Sequence, residues 1–237
     1  MTYQGSKAKY VKYICPILQK CIDDNHITTF IDCMVGGANI IKNIKCENRI
    51  ATDIDENLIA LWQEMQKPDF KWPSTPERED WDRCKSGQEE RKWYIGFTAI
   101  FASTMGRGFP GGFERLHTRT EGRMHTAAKD LPLIQGIDFS VKDYVDVFNS
   151  YENCVIYCDP PYKGTKTYNY KIFDSEKFWE DVRQASKNNY IFISEQAAPD
   201  DFKSIWSMSV KYNLVNATRE ATENLFVYKN GLSKKYI

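Results

Sequence analysis

The sequence lacks the features of several large protein classes. No apolar run approaches the length of a membrane-spanning helix, and the first residues include no apolar core of signal-peptide type. Seven cysteines form no CxxC pair, and only three histidines accompany them, so metal-ligand spacing is missing. We therefore expect reduced thiols, no bound metal and a cytoplasmic protein without a membrane partner.

The dinucleotide-binding pattern GxGxxG is also missing, but another glycine turn follows an apolar strand. Segment 30–39, FIDCMVGGAN, predicts a strand, a tight turn at Gly36-Gly37 and a helix that begins near Ala38. Glycines let the backbone approach a ligand closely, and open α/β sheets bind cofactors at the carboxyl ends of their strands. A plain loop is the alternative interpretation.

A second short strand, 49–53, ends on Asp53. An acid about twenty residues after a glycine loop is well placed for ribose, because one carboxylate can accept from two hydroxyls. Alternatively, Asp53 or Asp55 caps the helix that follows. Each of the two residues can serve one of these purposes.

The most informative stretch is Asp159-Pro160-Pro161-Tyr162, directly after the apolar run from Val155 to Cys158. Two prolines hold the turn rigid and remove both backbone donors, so Asp159 and the Pro160 carbonyl can act as acceptors. Tyr162 offers a flat face for stacking. The exocyclic amine of a nucleobase fits such a site, because two acceptors take its two N–H bonds. The alternative is that Pro-Pro only ends a strand and Tyr162 packs.

Taken in this order, the motifs resemble those of the DNA adenine-N6 methyltransferases of the Dam-like group, and the resemblance covers most of the chain. It implies an enzyme that transfers a methyl group from S-adenosylmethionine to N6 of an adenine flipped out of double-stranded DNA. The implied catalytic residues are Asp159, Pro160, Pro161 and Tyr162. The chain departs from the family pattern at Met34, where an aromatic residue is usual, and at Ala38, near which a third glycine is usual.

Two further segments extend the resemblance. Tyr3-Gln4-Gly5-Ser6-Lys7 is similar to the family's opening Tyr-x-Gly-x-Lys element, and Gly136-Ile137-Asp138-Phe139 to its adenine-gripping Asp-Phe segment. Alternatively, Lys7 is a solvated lysine at a helix start, and Asp138 a turn residue beside a core phenylalanine. The cofactor-binding residues that the resemblance implies are Tyr3, Lys7, Asp32, Val35, Gly36, Gly37, Ala38, Asp53, Ile54, Asp138, Phe139 and Asp159.

The formal net charge is zero, yet the charges are distributed unevenly. Segment 103–129 contains five Lys or Arg residues against two Glu, with five glycines, while acids are concentrated in segment 77–90. Such a loop suits phosphate clamping, base-edge reading or a wedge beside a flipped base, and an ordinary solvated loop is the alternative. A second basic loop, 163–170, is predicted to close over substrate or to be a solvated connector. The DNA-binding candidates are Arg107, Phe109, Arg115, Arg119, Arg123, Lys163 and Lys166.

The pattern of strands and helices predicts an α/β fold, a doubly wound Rossmann-like methyltransferase sheet that is mostly parallel with an antiparallel edge strand. Residues 1–62 and 136–237 would form the S-adenosylmethionine-binding catalytic domain. Residues 63–135 would form an inserted, smaller helical and loop lobe that recognises DNA. We also expect Pro16 to kink or split the first helix, a helix near 89–105, and final strands at 208–215 and 223–229.

Other functions stay open from the sequence alone. N4-cytosine methyltransferases also act on an exocyclic amine but usually begin the tetrapeptide with Ser, and protein glutamine methylation typically shows Asn there. A non-catalytic DNA-binding module that keeps the fold is another class of function, although the acids at positions 32, 53 and 159 are intact. The resemblance makes GATC the first DNA sequence to test as the target. We expect a monomer of bacterial or phage type, by analogy with the family.

Overall fold

The fold is built on a seven-stranded sheet. The computed structural model describes residues 5–102, 113–161, 173–214 and 217–236. Its strands are β1 (Thr29–Asp32), β2 (Asn48–Asp53), β3 (Ile137–Val141), β4 (Val155–Cys158), β5 (Tyr190–Glu195), β6 (Phe202–Leu214) and β7 (Ala217–Tyr228). In space their order is β3-β2-β1-β4-β5-β7-β6.

Strands β1 to β5 pair in parallel, and β7 and β6 add an antiparallel pair at one edge. This arrangement confirms the predicted doubly wound sheet with an antiparallel edge. The last two strands are longer than predicted, because β6 already begins at Phe202 and passes through a register shift between Ser204 and Trp206. Such a bulge interrupts the two-residue alternation on which a strand prediction rests.

Helices cover both faces of the sheet. They are α1 (Val11–Asp24), α2 (Glu56–Met65), α3 (Arg78–Ser86), α4 (Lys92–Phe101), α5 (Phe113–Ala128), α6 (Leu131–Ile134), α7 (Tyr144–Ser150) and α8 (Ser175–Ala185), with 3-10 helices Lys7–Lys9, Ile41–Asn43 and Leu232–Tyr236. Phe30 of β1 packs in one core with Leu18 and Trp62, while its neighbour Ile31 packs in the other with Phe178 and Val182. Successive side chains of a buried strand therefore serve opposite layers. No described helix has both the length and the apolar character needed to cross a bilayer.

Helix α1 continues through Pro16, so the predicted split is wrong. Pro16 is exposed, whereas Ile14 and Leu18 on either side are fully buried. A proline inside a helix costs about 3 kcal/mol through the lost hydrogen bond and the ring clash. Burial of the apolar stripe on both sides of Pro16 offsets that cost.

The helix predicted to begin near Ala38 is absent from the described segment after β1, and this prediction is wrong. Ala38 adopts a left-handed conformation with φ of 52°, and only the 3-10 helix Ile41–Asn43 follows. Ile40, Ile41 and Ile44 are buried in the core. β-Branched residues have a low helix propensity, so little free energy favours a regular helix here. Burial of the three isoleucines then favours the turn and the short 3-10 helix.

The insertion between α2 and β3 is mostly helical. Helix α2 runs to Met65, past the predicted boundary at 62, and α3 to α6 follow. The prediction of a long loop over residues 103–129 is wrong for residues 113–128, because these residues form helix α5. Helix α4 packs tightly on α2 at Gly96. A Cβ atom added to Gly96 would lie only 2.3 Å from the carbonyl oxygen of Asn57, so the close contact requires glycine.

Candidate active site

The carboxyl ends of three adjacent strands bring three carboxylates to one edge of the sheet. Asp32 ends β1, Asp53 ends β2, and Asp159 directly follows β4. Strand β1 lies between the other two and is parallel to both. The negative charges are close enough that Asp159 and Asp53 both raise the pKa of Asp32, in addition to the effect of burial. These residues form the carboxylate cluster.

Asp159 is held by a buried lysine. The Lys7 Nζ atom lies 2.7 Å from Asp159 Oδ1 and 3.5 Å from Glu223 Oε1. It also donates a hydrogen bond to the carbonyl of Gly5 at 3.3 Å. Lys7 is only 4% exposed, so the alternative interpretation as a solvated helix-start lysine is wrong.

The ion pair only partly compensates for burial. Burial raises the pKa of Asp159 to about 6, although the ammonium of Lys7 opposes the rise. Burial disfavours the charged form of Lys7, but the carboxylates of Asp159 and Glu223 outweigh it, and the pKa of Lys7 is raised. Because the pKa of Asp159 is about 6, the ionised carboxylate is the main form above about pH 6. In this form both oxygens can accept hydrogen bonds and neither carries a proton, as the role predicted for Asp159 requires.

Asp32 is the most deeply buried carboxyl group of the cluster, at 2% exposure. Its pKa is raised well above the usual range, first by burial and then by Asp159, whereas backbone N–H groups of Ile41 and Met34 oppose the rise. Within the described part of the chain, Asp32 Oδ1 has no hydrogen-bond partner. A buried acceptor without a partner costs free energy, so a cationic or hydrogen-bond-donating ligand would be favoured here.

Of the two acids at the end of β2, Asp55 is the one that caps the following helix. Asp55 caps α2, because its carboxylate accepts from the backbone N–H groups of Asn57 and Leu58. Asp53 instead accepts from the N–H of Gly36 at 3.1 Å and from that of Asp55 at 3.0 Å. Burial raises the pKa of Asp53 to about 6. Asp53 thus connects the glycine loop to the end of β2.

The glycine loop is tightly folded against the core. Val35, Gly36, Gly37 and Ala38 are all buried. Gly36 has a φ of 43°, a left-handed conformation that glycine adopts without steric cost. The indole N–H of Trp62 donates to the Gly36 carbonyl at 3.1 Å. The loop is therefore held from α2 and from β2 at the same time.

The segment predicted to grip adenine is divided between surface and core. Asp138 is exposed in the middle of β3, so it is not a turn residue. The ring of Phe139 is 3% exposed and stacks on Trp62 at a centroid distance of 5.4 Å, as in the core alternative. Ile54, 61% exposed, and Val141, 52% exposed, lie at the ends of adjacent strands. These two side chains provide an apolar surface beside Asp53.

The structure describes the side chains of only some of the predicted DNA-binding residues, and these differ in exposure. Arg119 is exposed on α5, while the Arg123 guanidinium donates to the carbonyls of Ile100 and Phe101 at 3.0 and 2.9 Å. Arg123 therefore joins α5 to the end of α4, a packing role. For Arg115 the structure describes only the backbone, in α5. Tyr3, Arg107, Phe109, Tyr162, Lys163 and Lys166 lie outside the described residues.

Two acids behind Asp159 were not predicted from the sequence. Glu223 of β7 is 2% exposed, and Glu195 at the end of β5 is 7% exposed. Burial raises the pKa of Glu195 to about 7, and the charge of Asp159 adds to the rise. Both acids stand beside apolar strand segments, which is the signal that could have singled them out. Their partner Lys7 is distant in the sequence, so no local pattern links them.

The cysteines show no disulfide. All seven are free thiols, as predicted. Cys33 and Cys158 stand next to Asp32 and Asp159 in the sequence, and their Sγ atoms are 3.2 Å apart. No group of His, Cys, Asp and Glu side chains suited to a metal ion occurs among the residues that the structure describes.

Comparison with protein families identifies a match over most of the chain. The family described as D12 class N6 adenine-specific DNA methyltransferases matches residues 3–91 and 103–198. These ranges include the glycine loop and the Asp-Pro-Pro-Tyr segment. One curated relative is the modification methylase StsI of Streptococcus sanguinis, 25% identical over 191 residues. The match covers 68% of this chain but only 28% of that protein.

The matches to solved structures are more distant. The crystal structure of TrmN from Thermus thermophilus matches with a TM-score of 0.38 and 11% identity, over 91% of this chain and 48% of that one. HI0767 from Haemophilus influenzae matches with a TM-score of 0.36 and 9% identity, over 95% of this chain and 90% of that one.

Proposed function

Because the chain belongs to the D12 class N6 adenine-specific DNA methyltransferases, we propose that it transfers a methyl group from S-adenosylmethionine to N6 of an adenine in double-stranded DNA. The family supports adenine methylation of DNA. The cofactor, the eversion of the base and the residue roles are the further steps of the proposal.

The carboxylate cluster fits the charge of S-adenosylmethionine. Bound there, this cofactor supplies an electrophilic methyl carbon on a positively charged sulfur, together with a charged amino group. Asp32 is suited to the amino group, because its Oδ1 is buried and has no partner in the described chain. Asp53 is suited to the ribose hydroxyls, with Gly36 and Gly37 allowing close backbone approach. Ile54, exposed just after β2, would contact the adenine ring. Asp138 pairs with Ile50, before the carboxyl end of β3, so its contact with the adenine amine is proposed from the family resemblance alone.

Asp159 and the Pro160 carbonyl would accept the two hydrogens of the target N6. That nitrogen is a poor nucleophile, because its lone pair is delocalised into the ring. Two fixed acceptors favour a more tetrahedral nitrogen and stabilise the positive charge that develops as the N–C bond forms and the C–S bond breaks. The nitrogen then loses one proton. Asp159 contributes as an acceptor of hydrogen bonds and does not need to take the proton early.

The target base must leave the helix, because N6 is stacked and paired in duplex DNA. Tyr162 is proposed to stack on the everted adenine, and Lys163 and Lys166 to hold the neighbouring phosphates. The insertion 63–135 would read the duplex, with Arg107, Phe109, Arg115 and Arg119 as contacts. Arg123 is a weaker candidate because its guanidinium is bonded to α4. By analogy with the family, we propose that the protein acts as a monomer in the cytoplasm of a bacterial or phage-infected cell.

The observation that carries the proposal is the position of Asp159, which follows a buried strand and faces Lys7 within reach of Asp32. Replacement of Asp159 by Ala should abolish methyl transfer from tritiated cofactor to DNA, while cofactor affinity measured by calorimetry stays within about three-fold. Retained turnover would remove Asp159 from the mechanism.

Sequencing of single DNA molecules from cells that express the protein distinguishes the remaining alternatives. N6-methyladenine in a fixed sequence context, absent with the Asp159→Ala variant, is the expected result. N4-methylcytosine would favour the cytosine-specific alternative. Unmodified DNA, together with no binding of cofactor at millimolar concentration, would favour a non-catalytic module.

A further inference from the structure

Lys7 is shared between two carboxylates. Its ammonium has three N–H donors, and the acceptors that the described residues place around it include Asp159 Oδ1 at 2.7 Å, Gly5 O at 3.3 Å and Glu223 Oε1 at 3.5 Å. The side chains of Lys7 and Glu223 are 4% and 2% exposed, whereas that of Asp159 is 20% exposed. Asp159 therefore faces the site, and Glu223 lies behind the lysine.

We propose that Glu223 is a positioning residue, which acts through Lys7 and sets the position and charge of the Asp159 carboxylate for the target amine. The inference rests on the proposed function and extends it to β7, far from the Asp-Pro-Pro-Tyr segment in sequence. A lysine paired with Asp159 alone would occupy an oxygen that the adenine amine needs. The ammonium lies 2.7 Å from Asp159 Oδ1 and 3.5 Å from Glu223 Oε1, so the second carboxylate shares its charge without removing it from Asp159. This attraction from behind opposes a further move of the ammonium onto the oxygen that the amine needs.

The surrounding charges make this effect specific. Charged and titratable groups from five elements interact electrostatically with Asp159. They are Lys7 of the first 3-10 helix, Asp32 of β1, Tyr157 of β4, Glu195 of β5 and Glu223 of β7. Lys7 stabilises the ionised Asp159, whereas Glu223 destabilises it. The two residues therefore oppose each other at the same carboxylate, and their removal should have opposite effects.

The Glu223→Gln variant keeps an oxygen that can accept from Lys7 but removes the charge. We expect the Asp159 carboxyl to titrate at lower pH than in the unaltered protein, because one like charge is lost. The titration is followed by NMR with carboxyl-¹³C aspartate, without cofactor or DNA, and Asp159 is assigned with the Asp159→Asn variant. In DNA methylation assays, kcat should fall about ten-fold, a typical effect of losing a charged hydrogen bond, with KM for the cofactor nearly unchanged.

Two further variants separate this role from a structural one. Asp130 forms a buried ion pair with Lys42 at 2.7 Å, and neither residue is among the charges that shift the pKa of Asp159. Asp130→Asn therefore removes a comparable charge and should leave the Asp159 titration unchanged. Glu223→Asp keeps the charge and should place the titration between those of Glu223→Gln and the unaltered protein. An unshifted Asp159 signal in Glu223→Gln overturns the proposal, and Glu223→Asp takes its place if Glu223→Gln does not fold. Failure of both variants to fold would assign Glu223 to stability alone and also overturn it.

The titration and the methylation assay fail independently. If the unaltered protein leaves DNA unmethylated but the Asp159 signal shifts as expected, the proposed function is wrong and the charge coupling stands. If the unaltered protein methylates DNA and the signal does not shift, the role of Glu223 alone is wrong.

Discussion

Replacement of Lys7 by Met is the sharpest test of the carboxylate cluster. The change removes the ammonium 2.7 Å from Asp159 and keeps an unbranched apolar side chain in the buried space. Loss of an opposite charge at this range raises a carboxyl pKa by about 1–3 units. The pKa of Asp159 starts at about 6. A rise of about 2 units would reduce its ionised fraction at pH 7.5 from nearly all to about a quarter.

The sign of the effect on activity follows from the role of Asp159. A protonated Asp159 would present an O–H donor and no negative charge to the amine, so methyl transfer should increase as pH rises through the pKa of this group. The pH dependence of kcat/KM for the cofactor reports the free enzyme. In Lys7→Met the acidic limb of that profile should move from near pH 6 to about pH 7–9, and much of the lost activity should return at high pH.

A matched variant controls for the loss of a buried lysine. Lys42 lies 2.7 Å from Asp130 and is similarly buried, so Lys42→Met breaks a comparable ion pair outside the cluster. Its profile should keep the acidic limb of the unaltered protein. A Lys7→Met enzyme with reduced activity but an unmoved limb would refute the coupling, because a purely structural defect or a lost cofactor contact lowers the rate without moving the limb.

Three other changes have defined outcomes. The melting temperature of Asp159→Asn, taken relative to that of the unaltered protein, should increase as pH rises from about 4 to 6. The pKa of Asp159 is about 6 in the folded protein and lower in the unfolded chain, so ionisation of Asp159 lowers the free energy of unfolding of the unaltered protein by up to about 3 kcal/mol. A difference in melting temperature that stays constant across this pH range, measured by calorimetry, would contradict the raised pKa. Asp32→Asn should raise KM for the cofactor about 10- to 100-fold, because losing a charged hydrogen bond usually has an effect of this size. Its kcat should stay within about three-fold of that of the unaltered protein. An unchanged KM in steady-state assays would argue against an amine site at Asp32. Gly96→Ala should destabilise by about 1–3 kcal/mol, because the added Cβ would meet the Asn57 carbonyl at 2.3 Å. Gly122→Ala, in α5 with no atom within 4 Å of its added Cβ, should instead be neutral or stabilising by up to about 1 kcal/mol in urea unfolding, and destabilisation by both would contradict the packing argument.

The parts of the fold that sequence predicted well are those specified by short segments. The buried run Val155 to Cys158 predicted β4, and the acids at the ends of β1 and β2 followed from the same reasoning. Parallel strands buried on both faces are continuous apolar runs, so their positions can be read locally. Their shared carboxyl edge then follows from the topology.

The errors arise where distant contacts override a local pattern. Helix α1 persists through Pro16 because its apolar stripe is buried on both sides, and the turn at Ala38 replaces a helix because Ile40 and Ile41 are buried. Five glycines and several arginines in 103–129 suggested a loop, yet 113–128 is helical and Arg123 bonds to α4. A preference of a fraction of a kcal/mol per residue is easily outweighed by such burial.

The pairing of Glu223 with Lys7 could not have been predicted from either segment alone. It depends on β7 entering the sheet beside β5, which is set by pairings such as Ser194 with Leu225. Only the assembled sheet brings an acid of the penultimate secondary-structure element to a lysine near the start of the chain.

The excess of acids at the sheet edge also limits how a polyanion can approach. Asp32, Asp53 and Asp159, with Glu195 and Glu223 behind them, outnumber Lys7, the cation that the structure places among them. Phosphates would be repelled from this edge over a distance on the order of a Debye length, about 8–10 Å in ordinary salt. A neutral purine ring meets no such repulsion. The carboxylates that suit a sulfonium would therefore keep the sugar-phosphate chain at a distance and admit only a base that reaches inward from it.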